Sequence, residues 1–391
     1  MRLTALLHHE ASSGVMLVLA AAVALTIANS PWSSAWHAFW HGSLSLLPVP
    51  FDINLRFLVN DGLMTLFFFT VGLEVRHEMH SGTLATRRRA AVPLIAAAGG
   101  VVVPALIYLG ISRDPATLPG WAVPTATDIA FAVGLLALLG SRVSSGLRVL
   151  LLSIAIIDDI AAILIIALVY TGNITEIGIA LSAIGIGLVF VLQRLKIWQP
   201  LAYVPVGAVI WLGLLWAGIH PVVSGVILGL LTPAIPNPYR RPEDEQRPPV
   251  VWLQKLLHPW STFLIMPVFA LANAGVHING NPLAEPLTRN ILFGVVAGLV
   301  IGKPLGIVSF CWITHRIGLI HLPADVSWRG LLAIGGLAGI GFTMSIFIGG
   351  LAFAEGKLLD AMTLGVLAAS VIAAAFGLAA GRTLPAGGGR R

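Results

Sequence analysis

Long apolar runs, separated by short polar stretches, make up most of this 391-residue chain. A helix that crosses a bilayer needs about 20 predominantly apolar residues, and these runs approach that length. We predict twelve spanning segments, at residues 12–30, 57–75, 91–111, 121–140, 148–170, 175–193, 201–219, 221–236, 260–276, 290–313, 330–351 and 358–381. The pattern predicts an all-α integral membrane protein, with one polytopic domain over residues 1–391.

The composition agrees with this pattern. Hydrophobic residues form 57% of the chain and charged residues 10%, which leaves too little polar surface for a soluble globule. The one cysteine, Cys311, excludes an internal disulfide and a metal site built from several cysteines.

The basic residues are distributed unevenly between the predicted loops. With both termini in the cytoplasm, 18 of the 23 Lys and Arg residues fall on the inner side. We therefore expect a multi-pass protein of a bacterial inner membrane with both termini cytoplasmic. The same asymmetry explains the excess of basic residues, so we expect no nucleic-acid partner. We expect the protein to be surrounded by membrane lipid.

Two of the predicted spans contain residues that interrupt helices. The fourth includes Thr125, Thr127 and Asp128 beside a proline, and the eleventh has four glycines within residues 335–341, among them Gly339 and Gly341. Close packing of neighbouring helices would also explain glycines. Non-helical backbone at membrane depth is tolerated only when protein or a water-filled cavity surrounds it. We predict interrupted helices at both places.

The two interrupted spans occupy matching positions in the chain. Each is the middle of three, in spans 3–5 (about residues 90–171) and spans 10–12 (about residues 290–381). Equivalent members are seven positions apart in the order of spans, for example spans 3 and 10, so the two triples run in opposite directions. Inverted repeats with broken helices are typical of secondary transporters, whose sites lie near the bilayer midplane.

Charged residues within the apolar runs indicate where such a site would lie. Asp158 and Asp159 lie in the middle of the fifth span, and Lys303 lies well inside the tenth. A charge at the membrane centre costs about 2.5 to 3.5 kcal/mol on insertion scales. An ion pair that joins two helices would explain one carboxylate and the lysine. Together with Asp128, the set has an excess of negative charge, which favours a cation site.

Several short motifs resemble one known family. They are Asn60–Met64, Val71–Val75, Ala126–Phe131, Ile157–Ala161, Ala272–Val276 and Gly302–Gly306. Together they are similar to the NhaA family of bacterial sodium/proton antiporters, and the resemblance extends from the first span to the twelfth.

The resemblance implies roles for individual residues. Asp159 would be the principal Na+ or Li+ ligand, Asp158 would join it or pair with Lys303, and Thr127 would lie near the cation. Asp128 would offset the positive ends of the half-helices, and Lys303 the negative ends. Adjacent helical residues point about 100° apart, so the two aspartates cannot face one partner equally. Which of them binds the cation follows from the resemblance.

The implied function is transport without enzymatic chemistry or a cofactor. We expect electrogenic exchange of Na+ and Li+ for H+, with sodium extruded and protons imported for pH and sodium homeostasis. A transporter of the same architecture for another ion or an organic solute is the alternative. An intramembrane aspartyl hydrolase would need two aspartates on facing helices, whereas the central pair here is adjacent on one helix.

The resemblance also implies a pH response, a dimer contact and a disordered tail, for which the residues themselves give weaker support. Glu74, Glu78 and His258 would take part in a pH response, although Gln254 stands where the pattern leads us to expect an acid, and an interfacial charge cluster is the simpler interpretation. A short external β-hairpin near residues 45–57 would join two protomers into a homodimer. The tail at about residues 384–391 is predicted to be disordered.

Overall fold

The computed structural model describes residues 3–43, 53–197, 199–234, 248–277 and 283–385. Within these ranges the chain is helical, and the β-structure is one isolated antiparallel bridge between Ser43 and Asn54. The predicted hairpin falls mainly on residues 44–52, outside the described ranges. Its last residues differ from the prediction, because Leu55–Phe57 already form the first turn of a helix that Asn54 caps.

Helices cover much of the predicted apolar runs, and one more, Ser33–His41, lies between the first two of these runs. In chain order they are α1 (Leu3–Ala28), α2 (Ser33–His41), α3 (Leu55–Ser81), α4 (Arg87–Ile111), α5 (Ile129–Leu138), α6 (Ser145–Leu168), α7 (Glu176–Arg194), α8 (Tyr203–Trp216), α9 (Val223–Leu231), α10 (Pro249–Asn273), α11 (Pro286–Arg316), α12 (Trp328–Ala338), α13 (Phe342–Ala352) and α14 (Lys357–Arg382). A 3-10 helix, Leu118–Thr125, precedes α5.

Eight helical segments in the described part of the chain are long and apolar enough to cross a bilayer, or ten if each of two bent pairs counts as one span. The difference from twelve lies partly at α8 and α9, which are 14 and 9 residues long. Gly218 lies just after α8 with a φ of +74°, a left-handed conformation that ends a helix. Pro221 follows it, so residues 203–231 contain two short helices, α8 and α9.

The chain divides into two compact units. The first contains Met1–His37, Thr86–Ala162 and Ala270–Arg391, and the second contains Ala38–Ala85 and Ile163–Phe269. The first unit therefore holds both predicted breaks and all the predicted transport residues.

Glycine contacts bring helices close together in the first unit. Helices α4 and α11 meet at Gly99 and Gly306, where a Cβ atom on either residue would overlap the carbonyl oxygen of the other. The second unit is built in the same way, since a Cβ atom at Gly225 of α9 would overlap the carbonyl oxygen of Thr65 in α3. A separate apolar core in that unit consists of Val189, Val206, Ile210 and Leu214.

The first residues of the predicted tail, 384 and 385, lie within the described part of the chain. Leu384 is buried, and its carbonyl oxygen lies 3.4 Å from Nη1 of Arg142. Residues 386–391 lie outside the described ranges.

Candidate cation site

Both predicted helix interruptions are present in the first unit. The 3-10 helix ends at Thr125, the backbone is extended from Ala126 to Asp128, and α5 then begins. Helix α12 ends at Ala338, and α13 starts at Phe342 with its axis bent by 49°. The backbone N–H of Asp128 donates to the carbonyl of Ile340 at 2.7 Å, so the two breaks are joined directly.

Asp128 connects the starts of two half-helices. Its Oδ1 accepts from the N–H of Phe131 at 3.0 Å, which caps α5. Its Oδ2 accepts from the N–H of Thr343 at 3.2 Å and from the Thr343 hydroxyl at 2.5 Å, in the first turn of α13. The carboxylate therefore satisfies N–H groups that have no partner within either helix, and it faces the positive ends of both helix dipoles.

Lys303 and Asp158 form a fully buried ion pair. Nζ of Lys303 lies 2.8 Å from Oδ2 of Asp158, and both side chains have 0% exposure. The ammonium group also donates to the carbonyl of Thr125, the last residue of the 3-10 helix. The lysine therefore pairs with the acid and also faces the negative end of the interrupted segment.

A π-helical turn precedes Lys303 and orients it. In Gly298–Gly302 the N–H of Lys303 bonds to the carbonyl of Gly298, five residues earlier instead of four. The next residue is Pro304, which has no N–H and would clash with a carbonyl four residues back in a regular helix. The wider turn accommodates the proline. It also rotates the following residues relative to an uninterrupted α-helix.

Thr127 lies between the acid and the second break. Its Oγ1 is 2.7 Å from Oδ2 of Asp158 and 2.9 Å from the carbonyl oxygen of Ala338. A hydroxyl has one proton, so Thr127 donates to one of these acceptors at a time. In the described part of the chain, Oδ1 of Asp158 is buried and accepts no hydrogen bond.

Asp159 follows on the same helix and is 2% exposed. It lies close enough to Lys303 to interact with it electrostatically. The structure thus places Asp128, Asp158, Asp159, Thr127 and Lys303 around the two breaks. Asp158 and Asp159 interact with the ammonium group of Lys303, whereas Asp128 faces the starts of α5 and α13. Oxygen ligands and excess negative charge are what a hard cation requires.

Sequence reasoning missed several hydroxyl groups of this region. Besides Thr343, Ser345 donates to the carbonyl of Val123 at 2.7 Å, and Ser370 accepts from the N–H of Phe342 at 3.2 Å. All three hydroxyl residues are buried in apolar runs. Hydroxyl residues within four positions of a predicted break were the available signal for Thr343 and Ser345, whereas Ser370 lies on α14 with no local indication.

The residues expected to respond to pH lie in the second unit. Glu74 on α3 is hydrogen-bonded by the side chain of Gln254 on α10. Glu78 accepts from the N–H and the hydroxyl of Thr83, at 2.7 and 2.9 Å, which closes the end of α3. His258 is exposed on α10. These contacts give Glu78 a structural role, and a role of the three residues in pH response stays a prediction.

Interrupted apolar helices that surround buried charges define a class, the polytopic membrane transporters with discontinuous helices. Comparison with known proteins identifies the family. Residues 4–380 match the family described as Na+/H+ antiporter 1, and the chain belongs to it.

Curated relatives agree over almost the whole chain. A protein of Acidovorax sp. (strain JS42) named Na(+)/H(+) antiporter NhaA is 51% identical over 389 residues, which cover 97% of this chain and 92% of the relative. The protein of the same name from Cupriavidus necator is 48% identical, covering 95% and 88%. Na(+)/H(+) antiporter NhaA 2 of Sorangium cellulosum is 47% identical, covering 96% and 88%.

Proposed function

We propose that this protein exchanges Na+ or Li+ for protons across a bacterial inner membrane. The observation that carries the proposal is the buried cluster of three carboxylates and one lysine at two joined helix breaks, in a chain of the Na+/H+ antiporter family. The protein acts as a secondary transporter, so the cation and the protons are its cargo.

The cation site consists of Asp159, Asp158 and Thr127. Two features support this assignment: Asp159 is almost fully buried, and Oδ1 of Asp158 accepts no hydrogen bond from the described residues. A carboxylate and a threonine hydroxyl provide oxygen ligands of the kind that Na+ and Li+ prefer. Asp128 lies apart from this role, because Phe131 and Thr343 already occupy both of its oxygens.

Exchange follows from competition at the shared carboxylates. A bound cation requires an ionised carboxylate, and a proton on the same oxygen removes that ligand. If the protein changes its access only when it is loaded with one or the other, the two fluxes are coupled. Release of two protons for each cation, from two acids or from one acid and Lys303, makes the cycle electrogenic. The membrane potential then drives Na+ out and protons in, as pH and sodium homeostasis requires.

The proposed topology has twelve spans with both termini in the cytoplasm and inverted repeats at about residues 90–171 and 290–381. The joined breaks support the repeats, because the 3-10 helix with α5 and the pair α12 and α13 provide one interrupted element each. The proposed homodimer uses the segment around residues 45–57, where the bridge between Ser43 and Asn54 brings the two ends of the segment together.

Collapse of an imposed pH gradient in inside-out vesicles, on addition of Na+ or Li+, tests the function. We expect a response between pH 6 and 9 in the wild type and its loss in Asp159→Asn. Asp114→Asn removes a carboxylate of the same type from an exposed loop and should leave the response intact. Residual exchange in Lys303→Ala would make the lysine a structural partner instead of a proton carrier.

A transporter for a different ion or an organic solute is the alternative. It predicts a folded wild type without any Na+ or Li+ response in this pH range, and that result would refute the antiport proposal.

A further inference from the structure

A cavity of about 280 Å³ lies at the surface of the first unit, where α5 and α14 end. Its lining consists of Leu138, Leu139, Arg142, Leu378 and Arg382. Three leucines and two arginines thus share one concave surface, and no carboxylate is among these lining residues. This combination favours a ligand that has an anionic group and an apolar part.

Arg142 is held in place at one wall of the cavity. Its Nη1 donates to the carbonyl of Arg382 at 2.8 Å, and the carbonyl oxygen of Leu384 lies 3.4 Å from the same nitrogen. These carbonyls lie at the C-terminal end of α14, where helical partners are missing. A guanidinium group has five N–H donors, so most donors of Arg142 are left for a ligand.

Arg382 provides a second cationic group at the same cavity. Its side chain is exposed, and within the described ranges no hydrogen bond or ion pair to its guanidinium group is seen. Two guanidinium groups near one cavity repel each other unless an anion lies between them. Arginine also matches the geometry of phosphate oxygens, which it binds with two parallel hydrogen bonds.

The position of the cavity along the helices distinguishes a lipid from a soluble anion. Arg382 is the last residue of α14 and Leu138 the last of α5, so the arginines lie at the ends of apolar segments. Leu138 is 64% exposed, which gives the rim of the cavity an apolar surface. Cationic groups at the ends of apolar segments, next to the exposed Leu138, match the order of phosphate and acyl chain in a phospholipid.

We propose that this cavity binds an anionic phospholipid, with its phosphate between Arg142 and Arg382 and an acyl chain along Leu138. The assignment does not depend on which ions the protein transports. It adds a lipid site to the unit that contains the cation site.

Native mass spectrometry of the purified full-length protein tests the proposal, with phosphatidylglycerol and phosphatidylcholine as probes. We expect selective retention of phosphatidylglycerol by the wild type. Arg382→Gln should weaken this retention about fivefold or more, the change expected for one basic residue near an anionic lipid. Arg316→Gln is the matched control, because Arg316 is an exposed arginine at the end of α11 that does not line the cavity.

Arg382→Lys provides a second variant that keeps the charge and loses the paired hydrogen bonds. It should retain phosphatidylglycerol to a degree between the wild type and Arg382→Gln. Equal loss in Arg316→Gln would show that general surface charge explains the binding and would overturn the proposal. Equal retention of phosphatidylcholine, or displacement of phosphatidylglycerol by millimolar inorganic phosphate, would also overturn it, the latter in favour of a soluble-anion site.

Discussion

The ion pair between Lys303 and Asp158 allows a quantitative test of the site. Its two side chains are fully buried, with 2.8 Å between Nζ and Oδ2. At an effective dielectric constant of about 20, Coulomb's law gives an attraction of about 6 kcal/mol at this distance. Desolvation of both groups offsets much of that attraction in the intact pair. Removal of one partner leaves the other buried without compensation, which costs about 3–5 kcal/mol.

A double-mutant cycle separates this coupling from other effects of substitution. We expect Lys303→Met and Asp158→Asn each to lower the thermal unfolding midpoint in detergent, by on the order of 5–10 °C. The double variant should be more stable than the sum of the two losses predicts, because neither charge is then left alone.

The exposed pair of Lys357 and Glu285 is a matched control. Its atoms are 2.5 Å apart, and the side chains are 76% and 54% exposed. Exposed pairs contribute about 0–1 kcal/mol, since water screens them. Additive losses at Lys303 and Asp158, or a coupling no larger than in this control pair, would refute the argument that burial makes the pair of Lys303 and Asp158 strong.

Three further predictions concern the architecture around the site. Asp128→Ala should lower the unfolding midpoint more than Asp128→Asn, because alanine removes the acceptors for two half-helices, at about 1 kcal/mol for each cap; equal midpoints would contradict the double cap. Gly99→Ala should reduce the yield of folded protein, because the new Cβ would overlap the carbonyl oxygen of Gly306. Gly110→Ala, on the same helix, places its Cβ more than 4 Å from any atom outside its own stretch of helix and should give the wild-type yield of folded protein, measured by size-exclusion chromatography. Asp325→Ala should destabilise the start of α6 by about 1 kcal/mol, since Oδ2 of Asp325 accepts from the N–H of Gly146 at 2.7 Å. Amide hydrogen exchange at the start of α6 should therefore increase in Asp325→Ala and stay near the wild-type rate in Asp325→Asn.

The positions of the interruptions were predictable because their causes are local. Proline and threonine before Asp128, and four glycines in seven residues near Gly339, disfavour a continuous helix whatever surrounds them. The buried charges were predictable for a similar reason, since a charged residue within an apolar run needs a partner or a function. The contacts of Asp128 with Ile340 and Thr343 were not, because these residues are distant from it in sequence.

The lengths of some helices were not predictable from hydrophobicity. Residues 201–236 are apolar enough for two spans. Helix α8 nevertheless ends at Trp216 and α9 starts only at Val223, because Gly218 adopts a left-handed conformation and Pro221 follows it. An apolar run indicates burial or contact with lipid. Backbone geometry at a few positions determines how much of the run is helix.

The amino-acid sequence by itself determined the membrane class, the two interrupted helices and the identity of the charged residues, because these depend on composition and local backbone chemistry. The tertiary structure decided that Oδ2 of Asp158 lies 2.8 Å from Nζ of Lys303, and that Thr343 completes the cap formed by Asp128. Adjacent aspartates are equivalent in a sequence pattern. They differ in the folded chain because helix rotation directs them about 100° apart.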